Sequence, residues 1–118
     1  MKMKLKMKLT KDNNNYGLNR REMQTISGIL SKYDEVKNVL IFGSRAKGEY
    51  HSGSDIDIAI IDKDTRYQTL RNIKNDFSDS SLPYNVDLIN FSTLTNEDLK
   101  NHILRVGKPF YSVENKQL

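Results

Sequence analysis

Two short apolar segments joined by a glycine turn constrain this chain more than any other feature. Residues 40–48 read LIFGSRAKG, and residues 54–61 read SDIDIAII. The apolar run that ends at Phe42 and is stopped by a glycine predicts a buried strand followed by a tight turn. The Gly43–Ser44 amides would open a short helical turn, where unpaired N–H groups favour an anion such as phosphate. The pattern therefore predicts a phosphate-binding turn at one edge of a sheet.

The second segment carries two aspartates on one face of the next strand. Side chains alternate along a strand, so Asp55 and Asp57 point to one side while the isoleucines between and after them point into a core. Two carboxylates this close repel each other unless a cation lies between them, and Mg²⁺ also bridges to substrate phosphates. The alternative is a charged edge strand that discourages aggregation, but it leaves the spacing from the glycine turn unexplained.

This spacing carries a resemblance to a known family. Gly43-Ser44, ten intervening residues and then Asp55-x-Asp57 are similar to the signature of the polymerase-β-like nucleotidyltransferase superfamily. The segment GSRAKGEYHSGSDIDIAI resembles the minimal nucleotidyltransferases (MNT type) of this superfamily. The similarity runs from about residue 16 to residue 111. The resemblance implies a fold of the α/β (α+β) class, the nucleotidyltransferase fold, with a small mixed sheet flanked by about four helices.

The same resemblance implies roles for particular residues. The superfamily has a third carboxylate on a neighbouring strand, in a segment similar to Val86-Asp87-Leu88. A charge inside a short apolar strand needs a partner or a function, so Asp87 could instead pair with Arg45 or a lysine. Arg45 could neutralise phosphate charge or be an ordinary solvated cation. The expected catalytic and metal-binding residues are Asp55, Asp57 and Asp87, and the expected nucleotide-binding residues are Gly43, Ser44 and Arg45.

The activity implied by the resemblance is nucleotidyl transfer. With two Mg²⁺ ions as cofactors and ATP as substrate, AMP would pass to a hydroxyl, expected on a tyrosine, of a HEPN-domain toxin, and the chain would act as an antitoxin. Two alternatives stay open: a non-catalytic antitoxin that neutralises its partner by binding, and nucleotidyl transfer to a small molecule such as an aminoglycoside. The sequence does not name the partner or decide between a homo-oligomer and a hetero-oligomer.

Composition excludes several other classes of protein. The 118 residues suffice for one domain, contain no run long enough for a membrane helix, and include no cysteine, which is typical of a cytoplasmic protein. The net charge of +4 comes from five lysines in the first eleven residues, which leaves 14 basic and 15 acidic side chains in residues 12–118. The body of the chain thus lacks the basic surface expected of a DNA-binding protein.

The two ends of the chain are expected to be poorly ordered. Residues 1–15 are predicted to form a flexible basic leader, residues 16–112 the nucleotidyltransferase domain, and residues 113–118 a frayed tail. The leader alternates strictly between apolar residues and lysine over residues 1–9, so it could instead add a strand to a sheet edge.

Periodicity and capping signals predict the remaining elements. A helix over residues 18–33 is expected to be capped by Asn19 with Glu22, and the predicted helix over residues 65–77 by Asp64. Thr95 is expected to cap a last helix that ends at Gly107. Strands are predicted over residues 37–42, 55–61 and 85–91, with a short edge segment over residues 108–111.

Overall fold

A five-stranded mixed sheet organises the chain, with helices on both of its faces. The structure is a computed structural model that describes residues 2–7 and 15–116. The elements, in chain order, are β1 (Lys2–Met7), α1 (Arg20–Leu30), β2 (Asn38–Phe42), α2 (Gly43–Lys47), β3 (Ile56–Ile60), α3 (Tyr67–Asp79), β4 (Val86–Asn90), a 3-10 turn (Phe91–Thr93), α4 (Glu97–Val106) and β5 (Lys108–Lys116). The predicted mixed sheet and four helices are confirmed. Within the described residues, no helix combines the length and the apolar character needed to cross a membrane.

The strand order places the ends of three strands together. The sheet has the order β1-β5-β2-β3-β4, and every neighbouring pair is antiparallel except β3 and β4, which are parallel. A parallel pair needs a crossover, which α3 provides between β3 and β4. The first residues of β3 and β4 and the last residues of β2 therefore lie at the same edge of the sheet.

Both faces of the central strands are buried. The isoleucines at positions 56, 58 and 60 belong to the larger core cluster, which also contains apolar residues of α1 and α3. Ala59 points the other way and packs with Phe42 and with Ile103 of α4. The alternation predicted for β3 is thus confirmed, and Asp57 shares the face of Ala59.

Two of the three predicted helix caps are replaced by neighbouring or distant groups. The capping box of α1 is confirmed, since the backbone N–H of Glu22 donates to Asn19 Oδ1 at 2.8 Å and the Asn19 N–H donates to Glu22 Oε1 at 2.9 Å. The prediction of Thr95 as the cap of α4 is wrong by one residue, because Asn96 accepts from the N–H of Leu99.

The prediction of Asp64 as the cap of α3 is also wrong. The residue before α3 is Arg66, and its backbone N–H donates to Glu35 Oε1 at 2.7 Å. The other carboxylate oxygen of Glu35 accepts from the Thr69 hydroxyl at 2.7 Å and from Arg66 Nε at 2.8 Å. The helix start is therefore held by a carboxylate 31 positions earlier in the chain, which local sequence rules cannot find.

The chain ends are more regular than expected. Residues 2–7 form β1, which pairs with β5, whereas a flexible leader was expected; the alternative of an added edge strand agrees with the structure. β5 continues to Lys116 instead of fraying after residue 112, because β1 gives its far half a hydrogen-bonding neighbour. Residues 8–14 of the leader lie outside the described residues, and the predicted domain bounds stay a prediction.

The Glu35 contact predicts an acid-sensitive component of stability. Hydrogen bonds from Arg66 and Thr69 lower the pKa of Glu35 from 4.5 to about 2. A lowered pKa means that this stabilisation is complete above pH 4.5 and disappears as the pH falls towards 2. We expect Glu35→Gln to reduce the free energy of unfolding at pH 7 and to flatten its decline between pH 4.5 and 2.

Chemical unfolding at a series of pH values measures this effect. The control is Asp34→Asn, at an exposed neighbouring position, which should keep the wild-type pH profile. A wild-type slope in Glu35→Gln between pH 4.5 and 2 would contradict the assignment.

Candidate active site

Three strand ends place two of the predicted acidic residues in one row. Phe42 at the end of β2 pairs with Asp57 of β3, and Asp57 pairs in turn with Asp87 of β4. Directly opposed residues of neighbouring strands project to the same face of a sheet. Asp55 lies two residues before Asp57, so all three predicted carboxylates belong to this corner.

Gly43 follows Phe42, the first residue of the row Phe42–Asp57–Asp87, and lies against the carboxylate of Asp57. Its φ of 71° is in the left-handed region, which glycine adopts at no steric cost. A Cβ at this position would lie 3.1 Å from Asp57 Cγ and closer still to Oδ2. The turn therefore requires glycine for two reasons: the backbone angle and the approach of the Asp57 side chain. Ser44 follows in the first turn of α2 and is half-buried.

The electrostatics agree with a converging set of carboxylates. The pKa of Asp57 is raised from 3.8 to about 6, mainly by burial and then by the negative charges of Asp87 and Asp55. The positive charge of Arg45 acts in the opposite direction but does not compensate. Asp57 is half-buried, whereas Asp55 and Asp87 are exposed, so the site is open to solvent.

The three carboxylates fit a hard divalent cation whose remaining ligands come from a substrate. Within residues 15–113, no group of three or more acidic, histidine or cysteine side chains is arranged as a ready-made metal site. Mg²⁺ does not need one, because it is usually held by one or two carboxylates together with substrate phosphates. Mutually repelling carboxylate oxygens that are open to solvent fit such an ion, and the approach of a cation would relieve the repulsion at Asp57.

Arg45, which is expected to bind nucleotide, is buried and donates hydrogen bonds to main-chain carbonyl groups. It is only 2% exposed, and its guanidinium donates to the carbonyl oxygen of Ser54 from Nε at 3.1 Å and from Nη2 at 2.8 Å. Nη1 donates to the carbonyl oxygen of Tyr16 at 2.8 Å. These contacts use three of the five N–H groups of the guanidinium, so they give Arg45 a structural role beside the carboxylates.

Two tyrosines at this corner escaped the sequence analysis. The guanidinium carbon of Arg45 lies 4.6 Å from the ring centre of Tyr84 and 5.4 Å from that of Tyr50. Both rings precede segments that carry aspartates, but nothing in their local sequence indicates that they meet around one arginine. Residues 16, 45, 50 and 84 are far apart in the sequence and meet only in the folded chain.

Comparison with known proteins shows the family of this chain. Residues 24–116 match the family described as "Polymerase beta, Nucleotidyltransferase". The chain belongs to the polymerase beta nucleotidyltransferase family.

Similar proteins include one named as an adenylyltransferase and chains from crystal structures of toxin–antitoxins. Over 86 residues the chain is 37% identical to "Probable protein adenylyltransferase MntA" of Haemophilus influenzae (strain Rd), a match that covers 72% of this chain and 75% of that protein. A crystal structure of a toxin–antitoxin with AMP-PNP superposes with a TM-score of 0.61 at 25% identity and covers 74% of this chain and 70% of that one. A variant of the toxin–antitoxin MntA–HpeT has the same fold, with a TM-score of 0.60, 23% identity, and coverage of 80% and 73%.

Replacement of Gly43 should separate backbone strain from the collision with Asp57. Gly43→Ala and the control Gly48→Ala both place a side chain at a positive φ, of 71° and 77°, and each should lose about 1–2 kcal/mol of stability. An added Cβ meets nothing within 4 Å at Gly48 but meets the carboxylate at Gly43. We therefore expect nucleotidyl transfer to be lost only in Gly43→Ala. Equal activity of the two variants, measured beside their unfolding free energies, would contradict this geometry.

The convergence of carboxylates can be tested through stability in the absence of metal. Because the pKa of Asp57 is raised to about 6, its ionisation destabilises the folded state increasingly from about pH 4 to 6 and fully above pH 6. With EDTA present, Asp57→Asn should raise the melting temperature at pH 7.5 and leave it unchanged at pH 4. The control Asp64→Asn, at an exposed position outside the site, should show no such difference. A destabilised Asp57→Asn at pH 7.5 would contradict the assigned repulsion.

Proposed function

We propose that the chain is a Mg²⁺-dependent protein adenylyltransferase that transfers AMP from ATP to a tyrosine hydroxyl of a HEPN-type toxin and thereby acts as an antitoxin. The observation that carries the proposal is the row of Phe42, Asp57 and Asp87 with Gly43 at its end. The proposal is supported by the position of Asp57 and Asp87 beside the Gly43–Ser44 turn in a chain of the nucleotidyltransferase family.

The choice of substrate rests on similarity. The relative from Haemophilus influenzae is described as a probable protein adenylyltransferase, and the crystal structure at 25% identity contains a toxin, an antitoxin and AMP-PNP. These names support a nucleoside triphosphate as donor and a protein toxin as partner for this chain. The HEPN fold of the toxin and the tyrosine acceptor follow from the resemblance of the GSRAKGEYHSGSDIDIAI segment to minimal nucleotidyltransferases.

The roles of the acidic residues follow from their places in the row. Asp55 and Asp57 would hold two Mg²⁺ ions, with Asp87 as a further ligand of one of them. When bound, the ions would neutralise the triphosphate and lower the pKa of the acceptor hydroxyl. Asp87 is exposed at the rim of the site, so it can reach an incoming hydroxyl and take its proton.

The turn after β2 serves the leaving group. Ser44 and the neighbouring backbone N–H groups would donate hydrogen bonds to the leaving phosphates. The acceptor oxygen forms a bond to the α-phosphorus, the bond from that phosphorus to the bridging oxygen breaks, and pyrophosphate leaves. Gly43 has no side chain to obstruct Asp57 during these steps.

Labelling of the partner tests the proposal. The chain and its operon neighbour are co-expressed, purified and incubated with Mg²⁺ and ATP that carries a label on its α-phosphate. We expect AMP on a tyrosine of the partner, identified by mass spectrometry, and a loss of labelling of about 100-fold or more in Asp57→Asn. The variant Asp64→Asn serves as a control that changes the same charge outside the site. Absence of label with the wild-type chain would overturn the proposal.

The biological role is tested separately. Growth is measured in cells that express the toxin with wild-type chain or with the double variant Asp55→Asn/Asp57→Asn. We expect the double variant to lose neutralisation while still being produced and folded. Full neutralisation by the double variant would show an antitoxin that works by binding alone.

A further inference from the structure

Arg45 is a buried cation that holds main-chain carbonyl groups instead of an acidic side chain. It is 2% exposed, and no ion pair within 4.0 Å joins it to any aspartate or glutamate of the described residues. A buried charge is costly unless hydrogen bonds replace its water. Here the carbonyl oxygens of Ser54 and Tyr16 supply them. Charge pairing therefore does not explain why an arginine is buried at this position.

The first of these carbonyls controls the start of the carboxylate-bearing strand. Two N–H groups of Arg45 converge on the oxygen of Ser54, at 2.8 and 3.1 Å. That oxygen belongs to the planar peptide unit that Ser54 shares with Asp55. Fixing the oxygen therefore fixes the orientation of the peptide from which Asp55 begins and from which β3 continues to Asp57.

The same guanidinium also contacts the approach to the next strand. Its carbon lies 4.6 Å from the ring centre of Tyr84, two residues before β4 begins, and 5.4 Å from that of Tyr50. A guanidinium over an aromatic face is attracted to the ring electrons. One side chain thus links the start of β3 to the segment that leads to Asp87.

The space around Arg45 is closed on its remaining side. A Cβ added to Gly17 would lie 2.8 Å from Arg45 Nη1 and 2.8 Å from Cδ1 of Tyr50. The residue before it, Tyr16, has a positive φ of 59° and supplies the carbonyl that accepts from Nη1. The guanidinium is therefore enclosed by parts of the chain that are distant in sequence, which limits its movement.

We propose that Arg45 is a positioning residue that fixes the peptide leading into Asp55, just before β3, relative to Asp57 and to Asp87 of β4, and that this geometry sets the affinity for a divalent cation. The inference rests on the proposed function of the carboxylates as metal ligands. It replaces the phosphate contact that was expected for Arg45. Groups that orient metal ligands commonly change metal affinity by about 10- to 100-fold when they are removed.

Substitution by lysine separates the two roles. Lysine keeps the positive charge and is a common phosphate ligand, so a phosphate contact should survive Arg45→Lys in large part. The single ammonium of lysine cannot reproduce the fork that reaches the carbonyls of both Ser54 and Tyr16. A positioning role should therefore be lost. Arg71→Lys, at an exposed position on α3, is the matched control.

The experiment measures Mn²⁺ binding and catalysis on the same proteins. Loss of the free-ion electron paramagnetic resonance signal reports Mn²⁺ affinity, and labelling of the partner at varied Mg²⁺ and ATP gives the Mg²⁺ half-saturation and the KM for ATP. In Arg45→Lys we expect Mn²⁺ affinity to fall by about 10-fold or more, the Mg²⁺ half-saturation to rise to match, and excess Mg²⁺ to restore most of the rate. Arg71→Lys should equal the wild type.

The outcomes separate failure of this inference from failure of the proposed function. A wild-type chain that neither binds Mn²⁺ nor labels the partner would overturn the proposed function. A wild-type chain that does both, with an Arg45→Lys variant that shows unchanged Mn²⁺ affinity and a raised KM for ATP, would overturn the positioning role and restore the phosphate contact.

A second pair of variants keeps the inference testable if Arg45→Lys does not fold. Tyr84→Phe keeps the aromatic face 4.6 Å from the guanidinium carbon, whereas Tyr84→Leu removes it. We expect weaker Mn²⁺ binding, by about 3-fold or more, in Tyr84→Leu and wild-type binding in Tyr84→Phe, since only the leucine variant loses the cation–π attraction to Arg45. Equal Mn²⁺ affinity of two folded variants would contradict the role of this contact.

Discussion

Pairing of β3 with β4 forces like charges together, and the rest of the site is organised around this repulsion. The backbone hydrogen bonds of a parallel pair hold Asp57 and Asp87 in one register, so the two backbones cannot separate here without disrupting the sheet. Partial burial of Asp57 strengthens the effect, and its pKa rises to about 6. A divalent cation, bound together with substrate phosphates, would reduce the repulsion between these carboxylates.

The parts of the fold that are determined by residues close together in the chain could be predicted from the sequence. The alternation in β3, the glycine that stops β2 and the capping box of α1 are each determined by residues close in sequence, and all three are confirmed. The convergence of Asp87 with the other two aspartates required the family resemblance, because no local signal gives the order of strands in a sheet. Their catalytic roles stay a proposal.

The features that could not be predicted depend on partners distant in sequence. Glu35 takes over the cap of α3 because its carboxylate reaches Arg66 and Thr69 across the fold. Arg45 donates hydrogen bonds to the carbonyls of Ser54 and Tyr16, contacts that no pattern near Arg45 in the sequence indicates. In both cases a charged group meets backbone groups whose positions exist only after the chain has folded.

The place of β4 in the sheet has a consequence for substrate selection. Within the described residues β4 is an outermost strand, and Asp87 on it is exposed to solvent. Under the proposed function, such an open edge would admit a hydroxyl carried by a folded macromolecule. Discrimination among acceptors would then depend on the surface that the acceptor itself brings to the complex.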